Sequence, residues 1–140
     1  MQSAGLVRVP DTTSPETKNA IACADGNVAT VEVTLVALDD CRAYWAGKRV
    51  GLLKIDVEGF EREVFAGAHQ VLHQDCPKLV MFESLGGAVD YEIASVLRDA
   101  RYEIFQLNQA GEPDFSASAA QNLFAVPVEE HSSLPKRAAF

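Results

Sequence analysis

Two nearly continuous apolar runs, Val50 to Ile55 and Leu79 to Phe82, flank a segment with helical periodicity, and each is followed at once by a carboxylate, Asp56 or Glu83. These observations predict an α/β fold with parallel central strands. Uniformly apolar runs of this length suit strands covered on both faces. Strand, helix, strand in that order makes a βαβ unit with a right-handed crossover. Two later strand-like segments, with no helical pattern between them, add an antiparallel hairpin at the edge.

Taken in order, residues 5–10 (Gly-Leu-Val-Arg-Val-Pro) read as a short strand stopped by Pro10. Residues 11–28 are rich in Thr, Ser, Asn, Asp and Gly and read as a loop. Residues 29–38 alternate, with Val31, Val33 and Leu35 on one side and Thr30, Glu32 and Thr34 on the other, which predicts a half-buried strand. Asp39 and Asp40 open a short helix through Trp45, and Gly47 closes it. The helix between the two apolar runs extends from about Glu58 to His73, with Phe60, Val64, Phe65, Ala68, Val71 and Leu72 on one face. Gly67, at the edge of that face, is expected to let helix and sheet approach closely. A further helix spans about Val89 to Ala100, on the spacing of Ile93, Val96, Leu97 and Ala100. Tyr102–Leu107 and Asn122–Val128 are the last strands. The chain thus reads as a single domain over residues 1–128, and residues 129–140, which lack periodicity, as a flexible tail.

The composition narrows the function. The 140 residues suffice for one domain, and the net charge of −8 repels nucleic-acid backbones and anionic membrane surfaces alike. No window approaches the roughly 20 apolar residues of a membrane span, and the opening Met-Gln-Ser-Ala-Gly is no secretory signal. Cys23, Cys41 and Cys76 are scattered and odd in number, which suits free thiols in a reducing compartment and makes a poor zinc site. The expected location is cytoplasmic.

In open α/β sheets, ligands bind beyond the carboxyl ends of the parallel strands. Asp56 and Glu83 occupy such ends on neighbouring strands, and Glu58 and Glu61 fall in the first turn of the intervening helix, so four carboxylates converge on one rim. Carboxylates at a helix start also serve simply as caps, the plainer reading of Glu58. Glu61 falls inside the apolar stripe and is expected to avoid burial by pointing into a solvated cleft. Lys54, two residues before Asp56 on the same strand face, is the nearest cation. His69 and His73 are spaced i, i+4, as a metal pair can be, yet they lie opposite the apolar face beside Arg62, so a solvated face is the expectation and no metal site is assigned. Tyr44, Trp45 and Phe82 are expected in the core.

The run Leu52-Leu53-Lys54-Ile55-Asp56-Val57-Glu58-Gly59-Phe60-Glu61, followed by Glu63-Val64-Phe65-Ala66-Gly67-Ala68, resembles the central signature of the FkbM family of methyltransferases. Val33-Thr34-Leu35 with Leu38-Asp39-Asp40, Pro77 before Leu79-Val80-Met81-Phe82-Glu83, and Asn122-Leu123-Phe124-Ala125 fit as well, so the likeness covers roughly residues 5–128. It implies a Rossmann-like class I methyltransferase fold and S-adenosylmethionine as methyl donor. It also implies an O-linked acceptor, a hydroxyl of a sugar (or other glycan) or of a small-molecule secondary metabolite. Asp56 is then the first candidate for a catalytic base and Glu83 the second. Glu61 would orient the acceptor or hold the donor's ammonium group, with Glu58 and Lys54 beside them.

One departure from that pattern matters. The family carries a Gly-rich turn and an acidic residue that grip the donor, and this chain has no G-x-G. It therefore resembles a truncated member, for which weak donor binding is expected. Two rival readings follow. Asp56-x-Glu58 is also the kind of pair found in two-cation nucleases, but such sites need further carboxylates, the His69…Asp75 pair follows too soon, and the charge is wrong for DNA. A missing first strand would leave one edge of the Asp56 strand bare, which invites a homodimer or a partner chain and makes the protein a non-catalytic interaction module.

Overall fold

The computed structural model describes residues 5–10, 30–57, 59–84, 88–116 and 120–133. Strands β1 (Gly5–Pro10) and β2 (Thr30–Leu35) pair antiparallel as a separate two-stranded sheet. The strand expected over residues 29–38 is therefore shorter, and Leu35, expected on its inward side, is exposed. The main sheet has five strands: β3 (Leu52–Ile55), β4 (Leu79–Glu83), β5 (Tyr102–Leu107), β6 (Pro113–Asp114) and β7 (Asn122–Pro127). Their spatial order is β3-β4-β7-β5-β6.

The expected parallel pairing is present between β3 and β4, in the register Leu52↔Leu79 through Ile55↔Phe82. The other pairs are antiparallel, β4 with β7 and β7 with β5. The closing hairpin is thus antiparallel, but its return strand β7 inserts between β4 and β5, and the short β6 takes the outer edge. The result is a mixed α/β domain with a sheet at its centre.

Pleating sends alternate residues to opposite faces. Ile55, Val80, Phe82, Leu123 and Ala125 form one buried face. Against it pack Phe65 and Leu72 from the segment between β3 and β4, and Ile93 and Leu97 from α2 (Tyr91–Asp99). Phe65 meets Phe82 edge to face, with ring centroids 5.3 Å apart, a geometry favoured by the ring quadrupoles. The opposite face carries the row Lys54, Met81, Phe124, Phe105. Phe115 stands 5.2 Å from Phe105 there, and His131, in the 3-10 turn Val128–Ser133, packs on Phe115 at 3.9 Å. That turn occupies the start of the segment expected to be a loose tail.

The helix expected from Glu58 to His73 is broken. α1 spans only Glu61–Ala66, Gly67 is its C-cap, and a π-helical turn follows over Val71–Asp75. The cause lies 31 and 32 residues away in sequence. Asp39 accepts the backbone N–H groups of Gln70 and Val71, both at 3.0 Å, and its own N–H donates to the Gly67 carbonyl at 2.9 Å. A carboxylate that meets orphan N–H groups starts a helix, so Asp39 starts a second one here. The close neighbour of Gly67 is this segment, at Ala37, and not the sheet. A Cβ on Gly67 would sit 3.3 Å from the Cβ of Ala37.

The short helix expected from Asp39 through Trp45 is present as a 3-10 helix, Leu38–Trp45. Its far end is fastened by Arg42, which donates to both carboxylate oxygens of Asp75 (2.8 and 2.7 Å) and to Gln70 Oε1 (2.8 Å). The Trp45 indole N–H donates to Asp75 at 2.9 Å. Of the three aromatics expected in the core, Phe82 is buried, Trp45 is half-buried and Tyr44 is 85% exposed. Tyr44 projects from a 3-10 helix that presses only one side on the domain.

α2 begins at Tyr91 rather than at Val89, because Asp90 caps it. The Asp90 carboxylate accepts the N–H groups of Glu92 (2.9 Å) and Ile93 (3.2 Å).

Candidate active site

Because β3 and β4 run parallel with Ile55 opposite Phe82, the next residues, Asp56 and Glu83, leave the same end of the sheet side by side. Lys54 and Glu83 lie on the same sheet face, and with Ile55, Asp56, Met81, Phe82 and Asn122 they line one cavity of about 280 Å³. Lys54, Asp56 and Glu83, singled out in the sequence, are thus brought together.

Lys54 Nζ donates to Asp56 Oδ2 at 2.8 Å. This hydrogen bond, then the charge of Asp56, raises the Lys54 ammonium above its usual range, and Glu83 adds a smaller attraction. Both partners are about half exposed, so the pair is a solvated one of small net strength. Glu83 Oε1 accepts from the Gln121 side chain at 2.7 Å. Gln121 sits at the start of β7, whose Asn122 is paired with Glu83, and its carbonyl accepts the Ser84 N–H at 2.8 Å. Neither Gln121 nor Asn122 is singled out as a site residue by the sequence. The available signal is that a strand antiparallel to β4 must begin beside the end of β4.

Glu61 overturns its expectation. It is 5% exposed rather than directed into a cleft, and its carboxylate accepts the Gly59 N–H at 3.2 Å. Gly59 is at φ 100°, a turn conformation that suits glycine. Glu61 therefore braces the turn that follows Asp56, and it does not line the cavity. Glu58 lies outside the described residues.

A second concavity, about 330 Å³, lies at the opposite rim, where β3 and β4 begin, lined by Arg42, Trp45, Lys48 and Asp75 among others. It is larger than the Asp56–Glu83 cavity, but its carboxylate is already taken: Arg42 and Trp45 both donate to Asp75, and the Arg42 hydrogen bond holds the Asp75 carboxyl below its usual range against the opposing effect of burial. The strand-end site is preferred because Asp56 Oδ1 and Glu83 Oε2 have no protein partner among the described residues.

Two carboxylates at the same end of a parallel strand pair, on a mixed sheet packed by helices, make this a mixed α/β protein consistent with a methyltransferase-like fold. The methyltransferase FkbM domain model matches residues 5–104, and the chain belongs to the FkbM methyltransferase family. No curated protein and no solved structure matches it.

S-adenosylmethionine can be tested against these residues. Its sulfonium and ammonium groups are positive, and the rim offers two carboxylates. The cavity, at about 280 Å³, lies just under the roughly 300–1,000 Å³ of pockets that enclose a small-molecule ligand. The rim therefore suits one polar end of the donor or its acceptor, and does not enclose the whole donor. Among the described residues no group of three or more His, Cys, Asp or Glu side chains could hold a metal, Cys41 and Cys76 are free thiols, and no helix is long and apolar enough to cross a membrane.

Proposed function

We propose that the Asp56–Glu83 rim serves S-adenosylmethionine-dependent methyl transfer to oxygen, with a hydroxyl of a sugar or small secondary metabolite as acceptor. What supports this reading is the convergence of the two strand-end carboxylates in one cavity, in a chain of a methyltransferase family. The donor, when bound, supplies a methyl group already made electrophilic by its sulfonium. The protein's part is alignment, which can contribute about 7–11 kcal/mol in good cases, and removal of the hydroxyl proton. In this reading Asp56 takes the second task. Oδ2 is held by Lys54, which leaves Oδ1 to accept that proton. Glu83, with Oε1 held by Gln121, has Oε2 to orient the acceptor. Glu61 acts at one remove, by bracing the Gly59 turn beside Asp56.

Calorimetric titration with S-adenosylhomocysteine tests the reading. Weak, saturable binding is the expected result. No heat at millimolar ligand would remove this chain, by itself, from methyl transfer.

A second reading is favoured by the edge of the sheet. Among the described residues β3 pairs only with β4, and Leu52 is 55% exposed beside it. Unpaired strand edges are templates for another chain, so a homodimer through β3, with or without catalysis, is the alternative. Light scattering after size exclusion decides it: a dimer supports it, and a concentration-independent monomer ends it.

A further inference from the structure

We infer that His69 and His73 form a surface site for one imidazole-favouring divalent transition-metal ion (Ni²⁺, Cu²⁺ or Zn²⁺), separate from the Asp56–Glu83 rim. Their exposure agrees with the solvated face read from the sequence. The structure adds two independent observations. The two rings are stacked, 20° from parallel, with centroids 4.1 Å apart. His73 Nδ1 also lies 2.8 Å from the His69 carbonyl oxygen.

The second observation determines the tautomer. A carbonyl oxygen can only accept, so Nδ1 carries the proton and donates it. In the neutral ring the lone pair is then on Nε2. Metal-binding histidines almost always donate their other ring N–H to a carbonyl, carboxylate or water, which orients the ring and raises its basicity. His73 already makes that bond. His69, four residues earlier and equally exposed, supplies the second ligand. An ion held at about 2.0–2.1 Å by each nitrogen spans at most about 4.2 Å between them. Imidazole lone pairs lie in the ring plane, so the two near-parallel rings, 4.1 Å apart, turn about their exposed side-chain bonds to direct both lone pairs at one ion.

No third His, Cys, Asp or Glu joins them among the described residues, so water completes the coordination. Imidazole nitrogen with water suits nickel, copper and zinc, not calcium or magnesium. The site lies where Gln70 leads into the π-helical turn Val71–Asp75, so a bound ion cross-links successive turns of that segment.

The test is titration of the intact chain with NiCl₂ by calorimetry, with thermal unfolding followed at each concentration. One equivalent is expected to bind, with a melting temperature that rises with nickel, as ligand binding to the native state requires. His69→Ala and His73→Ala should each weaken binding by about tenfold or more, with unchanged circular dichroism, while His131→Ala leaves it intact. Zinc titration of ¹⁵N-labelled protein adds a geometric readout, in which the His73 Nε2 resonance shifts while Nδ1 stays protonated. Absence of one-to-one binding, or equal affinity in the His69→Ala/His73→Ala double variant, overturns the inference.

Discussion

Lys54 donates to Asp56 from two residues earlier on the same strand face, at 2.8 Å, so the residue proposed as base carries its own counter-ion. The bond occupies one carboxylate oxygen and, among the described residues, leaves the other without a partner. In the proposed reaction, Asp56→Asn keeps the shape and loses the proton acceptor. Methyl transfer should fall about 10²–10⁴-fold, the usual weight of a positioned base, while donor binding changes little. Single-turnover rates with radiolabelled donor measure this. Retained turnover at matched pH would take Asp56 out of the base role.

Asp39 joins two pieces of chain that would otherwise drift apart, through the N–H groups of Gln70 and Val71. Asp39→Ala should cost about 0.5–2 kcal/mol, as loss of an N-cap does, and Asp39→Asn clearly less. Urea unfolding with a constant m-value is the check.

Asp90 caps α2 and also binds Arg62, whose Nε lies 2.7 Å away. Burial pushes this carboxyl upward, but the Ile93 N–H, Arg62 and the Glu92 N–H together outweigh it and hold the carboxyl below its ordinary 3.8. A depressed folded value means the contribution is fully present above about pH 4 and is lost as pH falls through the folded value. Asp90→Ala should destabilise by about 1 kcal/mol at neutral pH. The gap between variant and parent should close in acid, and equal gaps at pH 7 and pH 2 would count against this.

Tyr102 is buried and donates to the Pro77 carbonyl at 2.8 Å, tying the start of β5 to the turn before β4. Tyr102→Phe leaves that carbonyl without its donor, and a loss of about 1–3 kcal/mol is expected. Burial holds the phenol well above its ordinary 10.0. Because the folded value is raised, the neutral form contributes fully below pH 10 and the contribution is lost only as pH rises through the folded value. Ultraviolet titration should show one tyrosine that ionises only with alkaline unfolding.

The sequence alone determined the strand, helix, strand order and the two strand-end acids, because both follow from local pattern: an apolar run long enough for a buried strand, broken by a charge it cannot bury. It also carried the family, through the run from Leu52 to Glu61. Tertiary structure decided the rest. Asp39 split a helix whose own periodicity runs unbroken from Phe60 to Leu72, since a cap supplied from a distant segment leaves no mark on local spacing. Likewise β7 entered beside β4 and brought Gln121 to Glu83. Strand order is set by which edges and faces are buried together, a free energy shared by the whole sheet and written in no one segment.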